Sequence, residues 1–191
     1  ALIDTSDEEI NFNFNALSEL RLRVNKVPRE DEEDNAYVNK LYRCLQNRRL
    51  IFVEDIGYFS ISNVEDGFDG KRNYKDITAQ SCEAEIQRKN LTYIADGTYK
   101  FDDLLEKIVA TLPKWVIGHV DDSVLNRYRT FEDVDTSLNT LSFMLSDMQD
   151  AYECIFVFDI MYRQINVYDQ NDYIVRTNIH IAKDDFKNES I

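Results

Sequence analysis

The chain has 191 residues, 43% hydrophobic and 30% charged, with five glycines and two prolines; this balance excludes a disordered or low-complexity polymer and fits a folded globule with a sizeable core. Its 36 acidic and 22 basic residues leave a net charge of -14, which excludes tight nucleic-acid binding by phosphate neutralisation, because that affinity comes from Lys and Arg displacing counterions. No apolar run reaches the ~18 residues that span a bilayer and no basic-headed signal segment opens the chain, while a start at Ala1 without methionine fits either a removed initiator or, the preferred reading, an excerpt of a longer protein.

The first half reads as short strands. Ile10 to Asn15 (INFNFN) and Leu20 to Asn25 (LRLRVN) alternate apolar and polar residues, the period of half-buried strands; Ile10, Phe12 and Phe14 would share one face. The charged breaker Pro28 to Asn35 precedes a helix predicted over 36–49, where Val38, Leu41, Tyr42 and Leu45 recur at helical spacing. Strands follow at Leu50 to Glu54 and Tyr58 to Val64 around Asp55-Ile56-Gly57, and at Asn73 to Gln80 after a loop with two glycines. Such a succession favours a barrel or a tightly curled antiparallel sheet.

After Ser81 the texture changes. A helical turn fits Cys82 to Arg88, a strand fits Leu91 to Ala95, and an Asp-Gly turn comes next. Phe101 to Leu112 has one apolar stripe (Leu104, Leu105, Ile108, Val109, Leu112), acids in its first turn and Pro113 to stop it, so it reads as a helix. Trp115 to Val120 reads as a strand. A second helix is predicted over 136–152, with Asp135 as N-cap and Leu138, Leu141, Leu145, Met148 and Tyr152 as its seam. Glu153 to Ile160 and Arg163 to Tyr168 form a hairpin around Met161-Tyr162, and Tyr173 to Ala182 makes a last strand with a bulge or register change. The fold class is therefore α+β.

Chemical motifs are absent from this pattern. The two histidines, His119 and His180, lie in strand-like runs, and no G-x-S-x-G, H-E-x-x-H or P-loop pattern occurs. Acidic pairs such as Asp102-Asp103 and Asp121-Asp122 suit solvated turns and helix starts, and the loop Asp66 to Gly70 lacks the donor pattern of an EF-hand. Cys44, Cys82 and Cys154 are odd in number and far apart, and read as apolar residues made in a reducing compartment. No cofactor, metal ligand or catalytic residue is assigned. The 11 tyrosines and 11 phenylalanines fit core packing first and a subunit interface second.

Four segments, in order along the chain, carry a resemblance: RLIFVEDIGYFSISNVED, KDITAQSCEAEIQRKNLTY, DGTYKFDDLLEKIVATLPKWVIGHVD and YRTFEDVDTSLNTLSFMLSDMQDAYECIFVFDIMYRQINVYD. From about Leu50 onward they resemble the N-terminal hub region of tail-associated minor structural proteins of long-tailed phages and prophages of Gram-positive bacteria, relatives of the baseplate hub of contractile tails. The resemblance implies an antiparallel β-barrel-like hub portion at 1–80, an inserted mixed α/β portion at 81–170, and a returning strand with a truncated continuation at 171–191. It also implies a non-enzymatic virion component, assembled in the bacterial host cytoplasm. In the full-length protein it would form a homotrimeric ring, meeting the distal tail protein and leaving passage for the tape-measure protein and DNA. Trp115, Tyr128, Phe131 and Tyr152 are the expected fold-bearing or interface residues. Two other readings are a cell-wall hydrolase or endopeptidase using Asp121 or His119, and a module that binds wall carbohydrate through surface tyrosines.

Overall fold

A computed structural model describes residues 5–13, 16–26, 36–135 and 137–173. The first region is a curled five-stranded half-barrel in the order β1-β2-β5-β4-β3, with every neighbouring pair antiparallel. Its strands are β1 (Thr5–Asn11), β2 (Glu19–Asn25), β3 (Leu50–Val53), β4 (Gly57–Phe68) and β5 (Asn73–Ser81). The alternation of LRLRV works as expected: Leu20 and Leu22 lie opposite Ala79 and Ile77, and Leu20 and Val24 are buried in one core with Phe59 and Ile61 of β4. On the polar face Arg23 forks onto its cross-strand partner Asp76 at 2.7 and 2.9 Å and lies over the Tyr74 ring. Helix α1 (Ala36–Cys44) contributes Tyr42 to this core.

Three expectations in this region need correction. Strand β4 runs past Val64 to Phe68, through the first part of the predicted glycine loop. The first strand lies at Thr5–Asn11, not 10–15, and carries a bulge between Ser6 and Glu9 where Asp7 takes a φ of 54°; Phe12 falls beyond its end and is 67% exposed. Phe14 lies outside the described residues. The first helix stops at Cys44 because the following residues serve the sheet: Arg48, at φ 68°, donates its N–H to Ile61 O, and Ile61 N–H returns to Arg49 O.

The second region is mixed. Strands β9 (Cys154–Asp159) and β10 (Gln164–Asp169) form the expected antiparallel hairpin, and β7 (Val116–Val120) pairs with β10 in parallel. Asp159 closes the hairpin by accepting from the N–H groups of Met161 and Tyr162, and Arg163 turns at φ 53°. The parallel pair shifts register between Ile165 and Val167. Across that shift the Asn166 amide oxygen accepts the His119 N–H at 2.8 Å; a Cβ at Gly118 would overlap the same amide, so a side chain there must displace Asn166 from this bond.

Helices pack against this sheet. Helix α3 (Phe101–Val109) buries the predicted stripe, and Leu112 follows in a tight turn before Pro113. The predicted strand at Leu91 to Ala95 is a loop, anchored by buried Leu91 and Ile94 and by Leu91 N–H bonding Leu138 O. The strand there is β6 (Gly97–Lys100), paired with β8 (Tyr128–Phe131). Short helices α2 (Ala84–Gln87) and α4 (Asp122–Leu125) precede β6 and β8.

The long helix also differs from its prediction. It begins at Thr140, where Asn139 caps by accepting Ser142 N–H at 2.8 Å; Asp135 instead accepts from Ser137 N–H in a preceding turn. It runs as α5 (Thr140–Phe143), a π-turn at Met144–Met148 and α6 (Gln149–Tyr152). The wider π-turn rotates the seam, so Leu141, Met144, Met148 and Tyr152 are buried while Leu145 is only partly so. Helix α7 (Gln170–Tyr173) closes the described chain, so Tyr173 ends a helical turn; the rest of the expected strand at 173–182, including His180, lies outside the described residues.

The regions meet at Ile160, which packs against both cores. Its carbonyl accepts from Tyr58 N–H at 3.2 Å, while Cys82 N–H bonds Tyr58 O at 3.0 Å. Gly57, at φ 134°, allows this approach: a Cβ there would sit 2.7 Å from Ile160 Cγ1.

Candidate functional site

Three of the four aromatic residues singled out by sequence stand in the second core. Tyr152 is its hub: the ring contacts Phe101 at 5.0 Å and Phe131 at 5.9 Å, and its hydroxyl donates to Tyr99 O at 2.9 Å. Burial pushes that phenol up to about 12. Phe131 also meets Phe143, and Trp115 packs edge-on against Phe158 at 5.9 Å. Tyr128 is different. It is 58% exposed on β8, so its side chain belongs to the surface.

The densest polar cluster lies where β7, β8 and β10 converge. Asp169 is 5% exposed. It pairs with Arg127, accepts from Ser123 Oγ at 2.7 Å and from Asn171 N–H at 3.0 Å, and donates its own N–H to Asp121 Oδ2 at 2.7 Å. The Ser123 hydroxyl first, then the Asn171 N–H and the Arg127 guanidinium, hold its carboxylate below the usual range. Arg127 reaches on to the carbonyls of Tyr152 and Glu153, satisfying the end of α6. His119 Nε2 lies 2.7 Å from Asp121 Oδ1, and that carboxylate is lowered by the Asp169 N–H and the His119 ring.

This cluster has the residue types of a hydrolase in a different arrangement. Ser123 donates to Asp169 while His119 bonds Asp121, so hydroxyl and imidazole serve separate acids. Burial pushes the thiols of Cys82 and Cys154 up to about 12, which keeps them protonated at neutral pH. Among the described residues no group of three or more His, Cys, Asp or Glu is placed to hold a metal ion. The cluster acts as a tie between the helix end and the sheet. Sequence reasoning missed Arg127, Ser123 and Asp169, because nothing in their spacing shows that one guanidinium spans three elements.

The surfaces that could meet a neighbour are the sheet edges. Strand β1 is blunted by its bulge and by Asp7, Glu8 and Glu9. Strand β3, at the other edge, is short and exposes Leu50 and Phe52, with Phe52 against the Tyr58 ring at 5.0 Å. In the second sheet, β9 is an edge strand among the described residues.

No family model and no curated protein matches the chain. Solved structures do. A prophage tail protein, gp18 from Listeria monocytogenes EGD-e, aligns at a TM-score of 0.63 and 15% identity, covering 92% of this chain and 49% of that one. The chain has the fold of prophage tail proteins. The 43 kDa tail protein of prophage MuSo2 from Shewanella oneidensis aligns at a TM-score of 0.59 and 8% identity, over 87% of this chain and 48% of that one. The chain thus spans about half the length of these tail proteins. The α+β tail-protein fold, a curled antiparallel sheet joined to a mixed portion, is the one expected from the sequence.

Proposed function

We propose that the chain is a structural part of a phage or prophage tail tip: a hub subunit that assembles as a homotrimeric ring in its longer protein and links the tail tube to the tip. The observation that carries this reading is the fold likeness to a prophage tail protein over 92% of the chain. Residues 1–80 would be its barrel portion and 81–170 its inserted portion. The exposed Leu50 and Phe52 on the β3 edge suit burial by a neighbour. The distal tail protein and the tape-measure protein are its partners in the virion tail, which is assembled in the bacterial host cytoplasm.

The net charge of -14 suits a ring whose lumen lets DNA slide past without sticking. The tie around Asp169 and the buried ring of Tyr152 then hold shape and transform no substrate. Immunogold electron microscopy of particles from the phage or induced prophage that encodes the chain tests this placement. Label confined to the distal end of the tail supports it. Label on the capsid, or label absent from purified particles that retain their tails, contradicts it.

A further inference from the structure

The chain crosses from the first region into the second at residues 81–83. Ser81 N–H bonds Ser18 O at 2.9 Å and Ser81 Oγ accepts Ser18 N–H at 2.9 Å, while Cys82 N–H bonds Tyr58 O at 3.0 Å. The next side chain, Glu83, is 8% exposed, and its Oε2 is sealed from solvent with no hydrogen-bond partner among the described residues. An ionised carboxylate placed so loses its hydration with little in return, whereas the neutral acid loses far less.

The groups around this crossing leave that oxygen unanswered. The α5–α6 helix presents Leu141 and Leu145. The end of β9 and its turn bring Asp159 and Tyr162, the β3–β4 turn brings Asp55, and α7 brings Tyr173. Glu19, beside Ser18, is paired with Arg21, and Glu85 of α2 with Arg163, next to the protonated Cys82 thiol. None of these groups supplies a donor to Oε2. Burial therefore pushes the Glu83 carboxyl up, against the pull of its own backbone N–H and of Ser81.

We propose that Glu83 is a proton-operated latch: the seam between the two regions stays closed while this carboxyl is neutral and opens locally when it ionises. The hydrogen bonds of Ser18, Ser81 and Cys82 run through the same few residues, so the strain of a charge at Glu83 falls on them before it reaches the closed core. The folded-state pKa lies above the unfolded one. The latch is therefore fully closed below the ordinary glutamate pKa of about 4.3 and is released as pH rises through the raised value. This sense is opposite to that of Asp169, whose carboxylate is lowered.

The test follows the isotopically labelled 191-residue chain by NMR across a pH series, reading the Glu83 carboxyl carbon and the hydrogen-exchange protection of backbone amides corrected for intrinsic rate. The carboxyl carbon is expected to titrate with a midpoint above about 4.3. Over the same interval the Ser18, Ser81 and Cys82 amides should lose protection by about tenfold for each pH unit by which that midpoint is raised, while the amides of α3 hold steady. Glu83→Gln, neutral at every pH, should keep the three seam amides protected throughout. If that variant does not fold, the carboxyl midpoint and the seam amides of the unmodified chain still decide the matter. A midpoint at or below about 4.3 would overturn the proposal, as would seam protection that ignores the titration, a loss shared equally by α3, or the same loss in Glu83→Gln.

Discussion

The five-stranded sheet and the mixed region behind it bury their apolar side chains differently. The sheet encloses few, chiefly Leu20, Val24, Phe59, Ile61, Ile77 and Ala79 with Tyr42 over them, and it leaves Leu50 and Phe52 exposed at one edge. The mixed region wraps α3, the α5–α6 helix and two small sheets around one continuous core centred on Phe101, Phe143, Met148 and Tyr152. One region has a thin core with an uncovered apolar edge; the other has a thick core closed by helices and sheets. The lesson is that apolar surface is left over where the core is thin, and the proposed assembly would use that edge while the thicker core holds it in place.

Substitutions can break or sharpen this contrast. The largest effects belong in the closed core: Tyr152→Ala should lower the free energy of unfolding by ~3–5 kcal/mol in denaturant titration. Phe59→Ala, in the thinner sheet core, should cost less because that site can relax, and equal losses would erase the distinction. The Asp169 tie comes next. Arg127→Ala strands a carboxylate that is almost wholly buried and should cost roughly 3 kcal/mol.

The sign of the tie's pH dependence is fixed. The folded-state pKa of Asp169 lies below its unfolded value, so the contribution is fully present above the ordinary carboxylate pKa of about 3.9 and is lost as pH falls through the lowered one. Asp169→Asn should therefore flatten the acid limb of stability below about pH 4, measured by circular dichroism across a pH series.

Smaller effects sharpen the contrast at single contacts. Gly118→Ala drives a methyl into the Asn166 amide and should cost about 1–3 kcal/mol, and Asn166→Ala beside it should recover part of the loss in a double-mutant cycle. Tyr128→Ala should change stability by less than about 0.5 kcal/mol, since the ring is exposed. If Tyr128 serves the interface, it will register instead as weakened assembly in light scattering.

The same contrast governs what the sequence could disclose. Alternation in LRLRV and the stripe of α3 were readable because local period and burial agree there. The strand β8 was not, because YRTF is short and its pairing with GTYK depends on a chain reversal through α3 and α4. Both Asp135 and Asn139 are good caps by type, and tertiary contacts chose the second: Thr140 bonds Lys89 O through its N–H and its hydroxyl. A π-turn leaves no signature in a three-and-four spacing, so the burial of Met144 over Leu145 was illegible. The tie at Asp169 and the orphaned Glu83 oxygen arise from elements far apart in the chain, and no local pattern encodes them.

Assembly is the claim on which the rest depends, and mass measurement reaches it most directly. Light scattering of the proposed longer tail protein, run beside the 191-residue chain itself, should give three copies for the longer protein, and substitution of Leu50 and Phe52 by serine should shift it toward single copies. A longer protein that stays a single copy at every concentration, with the same mass before and after those substitutions, would contradict the account.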